Sequence, residues 1–433
     1  MKGDLVMDAM SATGQRRFVR AGLALLVAAL GVSLLPGLAE AAKGKKNERA
    51  KDQVVRVMTR NVYLGADLGP GLTAPDLPSF IDATGVISDQ VERTNFPLRA
   101  QALALEIIRQ RPDVVGLQEV ALWRTGPVVL GGAPSASTDR YDFLDLLLAE
   151  LNKGQKPKCK VTGKGRARAR SKATSKRYPC ADRYRAVVVK EEFDFESPVN
   201  DGGGGLGAAT RNERLTMRDV ILARVGTGVK TSQPASGTFP VLMRVSVGGV
   251  ASVNVTRGWT AADVRVRKAE PFHFVNLHFE AFDSHPTTNN TNIGTIVGQG
   301  QIRQAQAQSL LAPGGAARSK LPVVLLGDLN SDDDTVGLDG DVLAYNALAA
   351  GGFRPVDTSN PLSCCLGDPN LVAGSLADFD HHIDHVLTSS PKRVKFRKGF
   401  VTGRVPVDGL WPSDHNGVTS VLKLPASKGT NKK

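Results

Sequence analysis

Apolar and polar residues alternate from Val54 to Tyr63, the pattern of a half-buried strand. Residues 64–95, rich in Gly, Pro and Asp, predict a surface loop. From Pro97 to Arg111 the period changes: Leu98, Ala102, Leu105 and Ile108 recur at helical spacing, and Pro112 stops the helix. Asp113–Val120 predicts a second strand, Tyr141–Leu151 a helix, and Arg185–Val189 and Asp219–Arg224 further strands. The glycine run 201–207 reads as a turn, since the Lys-Ser/Thr of a phosphate loop does not follow it. Residues 226–270, with alternating Val, predict a hairpin extension. Phe272–Glu280 is a strand and Gln299–Leu311 a helix. Leu321–Asn330 is a strand whose unbroken run Val323–Leu326 predicts burial on both faces. His381–Leu387 and Pro412–Gly417 each lie beside an apolar strand.

Several of these strands end in costly polar residues. Asn61 closes the first strand, where Asn is disfavoured. Glu119 closes the second, and a carboxylate there is expensive to bury unpaired. Asp328 and Asn330, two apart, point the same way, as do Asn276 and His278. With Asp384 and Asp414 these are hard oxygen donors suited to Mg²⁺, Mn²⁺ or Ca²⁺. His278 and His415 add imidazoles able to exchange protons near neutral pH.

Composition changes the picture in two places. Arg16, Arg17 and Arg20 precede an apolar run from Ala21 to Leu35 and the small-residue pattern Ala39-Glu-Ala41, so residues 1–42 are expected to be a secretory signal, with 43–53 as linker. This 15-residue run is too short for a membrane anchor, no other segment approaches a transmembrane span, and the mature protein is expected to be secreted. The net charge is +13, of which the signal carries only +1. Between Lys153 and Arg185 stand 13 Lys/Arg and one acid, Asp182, so this insertion holds the whole excess of the mature chain. It is expected to be a solvated arm able to contact polyanions such as nucleic acid or anionic lipid. Export permits disulfides. Cys159–Cys180 would close the basic segment, while the adjacent Cys364 and Cys365 leave a vicinal bridge, free thiols or pairing elsewhere open.

Six ordered segments then carry a resemblance: Thr59-Arg-Asn-Val62, Gly116-Leu-Gln-Glu-Val120, Val275-Asn-Leu-His-Phe279, Leu326-Gly-Asp-Leu-Asn330, His382-Ile-Asp-His-Val386 and Ser413-Asp-His415. Together they resemble the signature of the endonuclease/exonuclease/phosphatase superfamily, over residues 54–424 with a tail at 425–433. That group includes deoxyribonucleases, apurinic endonucleases, inositol polyphosphate phosphatases and bacterial sphingomyelinases. The resemblance implies an α/β four-layer sandwich: two mixed β-sheets face to face, with helices outside.

It also implies roles. Asn61 and Glu119 would hold Mg²⁺ (or Mn²⁺/Ca²⁺), with Asp414 as a further ligand or outer group. Asp328 would activate or orient the attacking water, and Asn330 would hold a phosphate oxygen, with Asn276 beside it on the substrate. Asp384 would orient His415, which stabilises the transition state, and His278 would stand by the leaving oxygen. His278 argues against the apurinic endonucleases, which usually have Tyr there. His273, His285, His381 and His382 are expected in solvent or structural positions, and His385 to pack beside the site. The implied activity is metal-dependent phosphodiester hydrolysis, with nucleic acid or a phospholipid as substrate. A catalytically dead polyanion binder is disfavoured by the complete polar set.

Overall fold

The computed structural model describes residues 52–129, 131–153, 183–226, 228–282, 288–292, 294–297, 300–333, 342–357 and 362–427. The expected signal, nearly all of the basic insertion and the Cys159–Cys180 pairing lie outside them.

Two mixed sheets dominate. In the first, Gln53–Asn61 is central, antiparallel to Gly417–Leu424 and parallel to Val114–Gln118. Beyond Gly417–Leu424 lies Lys395–Thr402, and beyond Val114–Gln118 come Arg211–Arg224, Leu122–Gly126 and Thr138–Asp142. The long strand Tyr184–Val199 pairs with Arg211–Arg224. The second sheet runs Arg354–Pro355, Asp384–Thr388, Val323–Asp328, Phe272–His278, Gly258–Val266, Val229–Thr238, with Phe272–His278 and Val323–Asp328 parallel.

Alternation explains how the sheets meet. Val55, Val57, Val114, Ile221 and Val418 of the first sheet face Phe272, Phe274, Val324, Leu326 and Val386 of the second in one buried apolar layer. The intervening residues face outward under helices. Phe96–Gln110 and Phe143–Leu151 cover the first sheet through Leu103, Ile107, Phe143 and Leu147. Gln301–Leu311 and Leu343–Ala350 cover the second through Ala307, Leu310, Ala344 and Leu348. This is the expected four-layer α/β sandwich. At Gly116 the sheets approach so closely that a Cβ would lie 2.3 Å from Asn276 Oδ1 and 2.4 Å from Leu326 Cδ1. Among the described residues no helix is long and apolar enough to cross a membrane.

Three expectations need correction. Residues 64–95 are not a loop: Leu77–Arg93 is a helix, capped by Asp76 onto the Ser79 amide. Its buried Phe80, Ile81, Ile87 and Val91 mark one apolar face that the surrounding polar residues obscured. Residues 226–270 are not simply an extension. Val229–Thr238 and Gly258–Val266 belong to the second sheet, and only Met243–Val247 and Ala251–Val255 form a separate hairpin, in a small third sheet. The strand expected at Arg185–Val189 continues to Val199, because bulges reset its register against Arg211–Arg224 and keep it paired.

Candidate active site

The inter-sheet layer is apolar for most of its depth and becomes polar at one end. Continuing the inward alternation past Val57, Phe274, Leu326 and Val386 leads to Asn61, His278, Asp328 and Asp384. Strand register aligns three of them: His278 stands opposite Asp328, and Asp328 opposite Asp384. Asn61 is opposite Gln118, which places Glu119 next to it. Sequence-distant residues are thus brought to one rim by the ladders alone.

Asn61 ties the two sheets together. Its Nδ2 lies 3.1 Å from Glu119 Oε1 and 3.0 Å from Asp328 Oδ2, while its Oδ1 accepts the Tyr63 amide at 2.9 Å. Here it therefore bridges carboxylates through its nitrogen, and to ligate a cation its amide would have to turn over. Glu119 Oε2 accepts the Leu64 amide at 2.8 Å. Asp328 Oδ2 lies 3.6 Å from His278 Nε2 and 3.6 Å from His415 Nε2. On its far side, the His415 Nδ1 meets Asp384 Oδ2 at 2.8 Å. Asn330 donates to the Phe279 carbonyl at 3.2 Å and is partly exposed. Tyr63, Glu119 and Asn330 have φ of 58°, 59° and 46°. Left-handed backbone at three non-glycine residues around one rim is the kind of strain that clusters at functional sites.

Asn276 is corrected. It is fully buried between the sheets, accepting from Gln118 Nε2 at 2.5 Å and donating to the Leu117 carbonyl and Thr260. Its amide locks one sheet onto the other and faces no substrate. Of the histidines without an assigned role, His273 pairs with Asp263 and His381 with Asp332, while His382 is buried between Asp333 and Asp357. His285 lies outside the described residues.

Sequence reasoning missed Arg257. Buried at the start of the Gly258–Val266 strand, it sets Nη1 3.1 Å from His278 Nδ1 and Nε 3.8 Å from Glu280 Oε2. Glu192 and Asp219 lie beneath it, and burial pushes the Glu192 carboxyl up to about 8 and the Asp219 carboxyl well above its usual range. The available signal was Glu280, two residues beyond His278 and in need of a buried cation. Arg99 was missed as well. Fully buried, it donates to the carbonyls of Val62, Tyr63, Thr94 and Pro412 and so fixes the loops that carry Glu119's neighbours and Asp414. Cys364 and Cys365 are bonded to each other, and Cys364 Sγ lies 3.6 Å from His415 Nε2.

The electrostatics separate the two imidazoles. Burial, then the Arg257 guanidinium, pushes His278 well below its usual pKa. Burial would also depress His415, but Asp384, Asp328 and Asp414 outweigh it and raise the pKa well above normal. One ring is therefore neutral and the other cationic. Burial raises Asp328 to about 6, with His415 offsetting part of the rise. Burial and then Asp414 raise Glu119, and burial raises Asp414, which shares its cleft. Crowded, desolvated carboxylates of this kind fit a hard divalent cation, with Glu119 and Asp414 as its holders.

The sequence profile described as the Endonuclease/Exonuclease/phosphatase family matches residues 61–415, which begin at Asn61 and end at His415. The chain belongs to this family. Members of the family are phosphoric ester hydrolases and generally use divalent metals. No curated protein sequence matches significantly. Similar solved structures include an endonuclease/exonuclease/phosphatase family protein from Bacteroides thetaiotaomicron (13% identity, 87% of this chain and 99% of that one, TM-score 0.44). A mannosyl-6-phosphatase from the same organism (14%, 85% and 99%, 0.41) and D. rerio TDP2 complexed with a single-strand DNA product (15%, 86% and 99%, 0.40) are also similar.

For a member of this family the geometry supplies the parts of ester hydrolysis. A divalent ion at Glu119 and Asp414 would neutralise phosphate charge. Asp328, ionised above about pH 6, can take a proton from an attacking water. Cationic His415, held by Asp384, can stabilise charge on the phosphoryl oxygens, and neutral His278 can exchange a proton at a third position. Because the carboxyl pKa values are raised, protons compete with the cation. Mg²⁺ affinity by calorimetry is therefore expected to be lower in acid than in alkaline buffer, with protons released on binding. Equal affinity in both would show that these carboxylates are not the ligands.

Proposed function

We propose that the chain is a secreted, divalent-metal-dependent phosphodiesterase acting on nucleic acid. The observation that carries the hydrolytic part is the pair of imidazole Nε2 atoms, each 3.6 Å from Asp328 Oδ2, with His415 backed by Asp384 at 2.8 Å. Phosphodiester cleavage needs a base, a charge stabiliser and a proton donor around one phosphorus; Asp328 is a candidate for the first and cationic His415 for the other two, with neutral His278 beside them. Export rests on the charged, apolar and small-residue regions of residues 1–42. Nucleic acid as substrate is supported by the 13 basic residues between Lys153 and Arg185, which suit a phosphate backbone.

One observation favours a phospholipid as the second reading. The cleft beside Glu119 and Asp414 is lined by Tyr63, Leu68, Leu72, Phe193, Phe282 and Leu366, with Arg257 as the one basic residue among its described walls. It shares Leu68, Leu72 and Phe193 with an apolar cavity beneath, a surface suited to an acyl chain. Purified protein assayed on DNA, RNA and sphingomyelin vesicles, with and without EDTA, tests both readings. Cleavage of DNA or RNA that EDTA abolishes is expected, and cleavage of the lipid alone would replace the nuclease. Deleting 154–182 is expected to weaken DNA binding and to flatten its salt dependence, by about 0.9 in log–log slope for each phosphate no longer neutralised. Hydrolysis of a short soluble diester is expected to persist in the deletion, since every site residue lies elsewhere.

A further inference from the structure

On the strand Asp384–Thr388, Asp384 faces the catalytic rim and its neighbour His385 faces the opposite side, toward the helix Leu343–Ala350. There His385 meets a group that hydrolysis does not use. Its ring lies 4.1 Å from that of His382, and Asp357 completes a set whose donor atoms all lie within 4.8 Å of one another. All three residues are buried, with His385 fully so.

A hydrogen bond fixes where the lone pair of one of the two rings lies. His385 Nε2 donates to the Ser331 carbonyl at 3.0 Å, which leaves Nδ1 as the acceptor nitrogen, and that atom is buried with no hydrogen-bond partner. His382 Nδ1 lies 3.1 Å from Asp333 Oδ2, at ion-pair distance, while Nε2 is 3.8 Å from Asp357 Oδ2. Neither nitrogen of His382 makes a hydrogen bond of good geometry. Asp357 Oδ2 is itself held by the Val386 amide at 2.8 Å. An imidazole that gives one N–H to a carbonyl or carboxylate and turns its other nitrogen inward is the arrangement of a metal-ligating histidine with its supporting group. His385 is such a ring, and with His382 and the Asp357 carboxylate beside it the donor set is of borderline softness, which suits a transition metal better than Mg²⁺ or Ca²⁺.

We propose that His382, His385 and Asp357 form a second metal site for a divalent transition ion of the zinc class, with Asp333 and Ser331 as its supporting groups. Ligand bonds of about 2.0–2.2 Å require the three donors to draw in slightly from their present spacing. Joining Asp357 to both histidines would brace the strand that carries Asp384 from behind.

The test uses the full chain, stripped with chelator and loaded with Zn²⁺ in excess Mg²⁺, then desalted and measured for bound metal. About one equivalent of zinc is expected in the wild type and in Glu119→Gln, and none in His382→Gln or His385→Gln. Asp333→Asn is expected to weaken zinc binding about 10–100-fold, as loss of a supporting carboxylate does. Zinc-free wild type, or equal zinc in both histidine variants, would leave His382 as an imidazolium between two carboxylates and overturn the proposal. If a histidine variant does not fold, the wild type and Glu119→Gln loaded with Co²⁺ decide the matter. Visible ligand-field bands of imidazole-bound cobalt in both support the site, and their absence overturns it.

Discussion

Replacing His415 by alanine is expected to lower the turnover of a soluble phosphodiester by at least about a hundredfold, the scale of a positioned acid–base group, with the fold intact. The ring is buried, held by Asp384 at 2.8 Å and directed at Asp328. Its loss removes the cation that faces Asp328 from that side of the rim. Asp384→Asn is expected to reproduce most of this loss, since the amide cannot hold the imidazolium that the carboxylate stabilises. His278→Ala is expected to cost a comparable factor. Because the three act around one carboxylate, the double variant His278→Ala/His415→Ala should fall well short of the product of the single effects. Steady-state kinetics with thermal unfolding as the folding control checks each. Near-normal rates in both histidine variants would remove the two-histidine mechanism.

Glu119→Gln is expected to abolish Mg²⁺-dependent activity while keeping the side chain's shape, and binding calorimetry should show the loss of cation affinity directly. Wild-type turnover at saturating metal would exclude Glu119 as a ligand. Stability adds a second readout. Burial and Asp414 raise the Glu119 carboxyl above its unfolded value, so in the absence of metal this group favours folding at low pH and loses that contribution as pH rises through its folded pKa. In EDTA at neutral pH the glutamine variant is therefore expected to melt no lower than wild type. With Mg²⁺ present the order should reverse, because only wild type gains from binding.

The rim was legible in the sequence because its residues offend local rules. An Asn inside a strand, a Glu after an apolar run and Asp-Leu-Asn after Val-Val-Leu-Leu all ask for a reason beyond secondary structure. Asn276 offends in the same way, yet its reason is the junction with Gln118 between the sheets. Composition at a strand end does not say which face has a partner. Arg257 was hidden for the opposite cause: it stands in a segment whose pattern suggests the periphery, and only the pairing of Gly258–Val266 with Phe272–His278 brings it to His278. The Leu77–Arg93 helix was masked by Pro78, Gly85 and its acids, residues that read as loop until the buried Phe80, Ile81, Ile87 and Val91 are seen on one side.

The pairing of Gln53–Asn61 with Gly417–Leu424 bears on when the enzyme comes into being. Asn61 and His415 sit at the ends of a ladder joining the first described strand to the last, across almost the whole length of the chain. Contacts so distant in sequence are slow to close and form late. A ribosome that has reached residue 350 has made Glu119, the carboxylate Asp328 and the imidazole of His278, but neither His415 nor Asp414. The polar rim is thus incomplete in a nascent chain that stops short of His415, and closes with the strand that completes the first sheet.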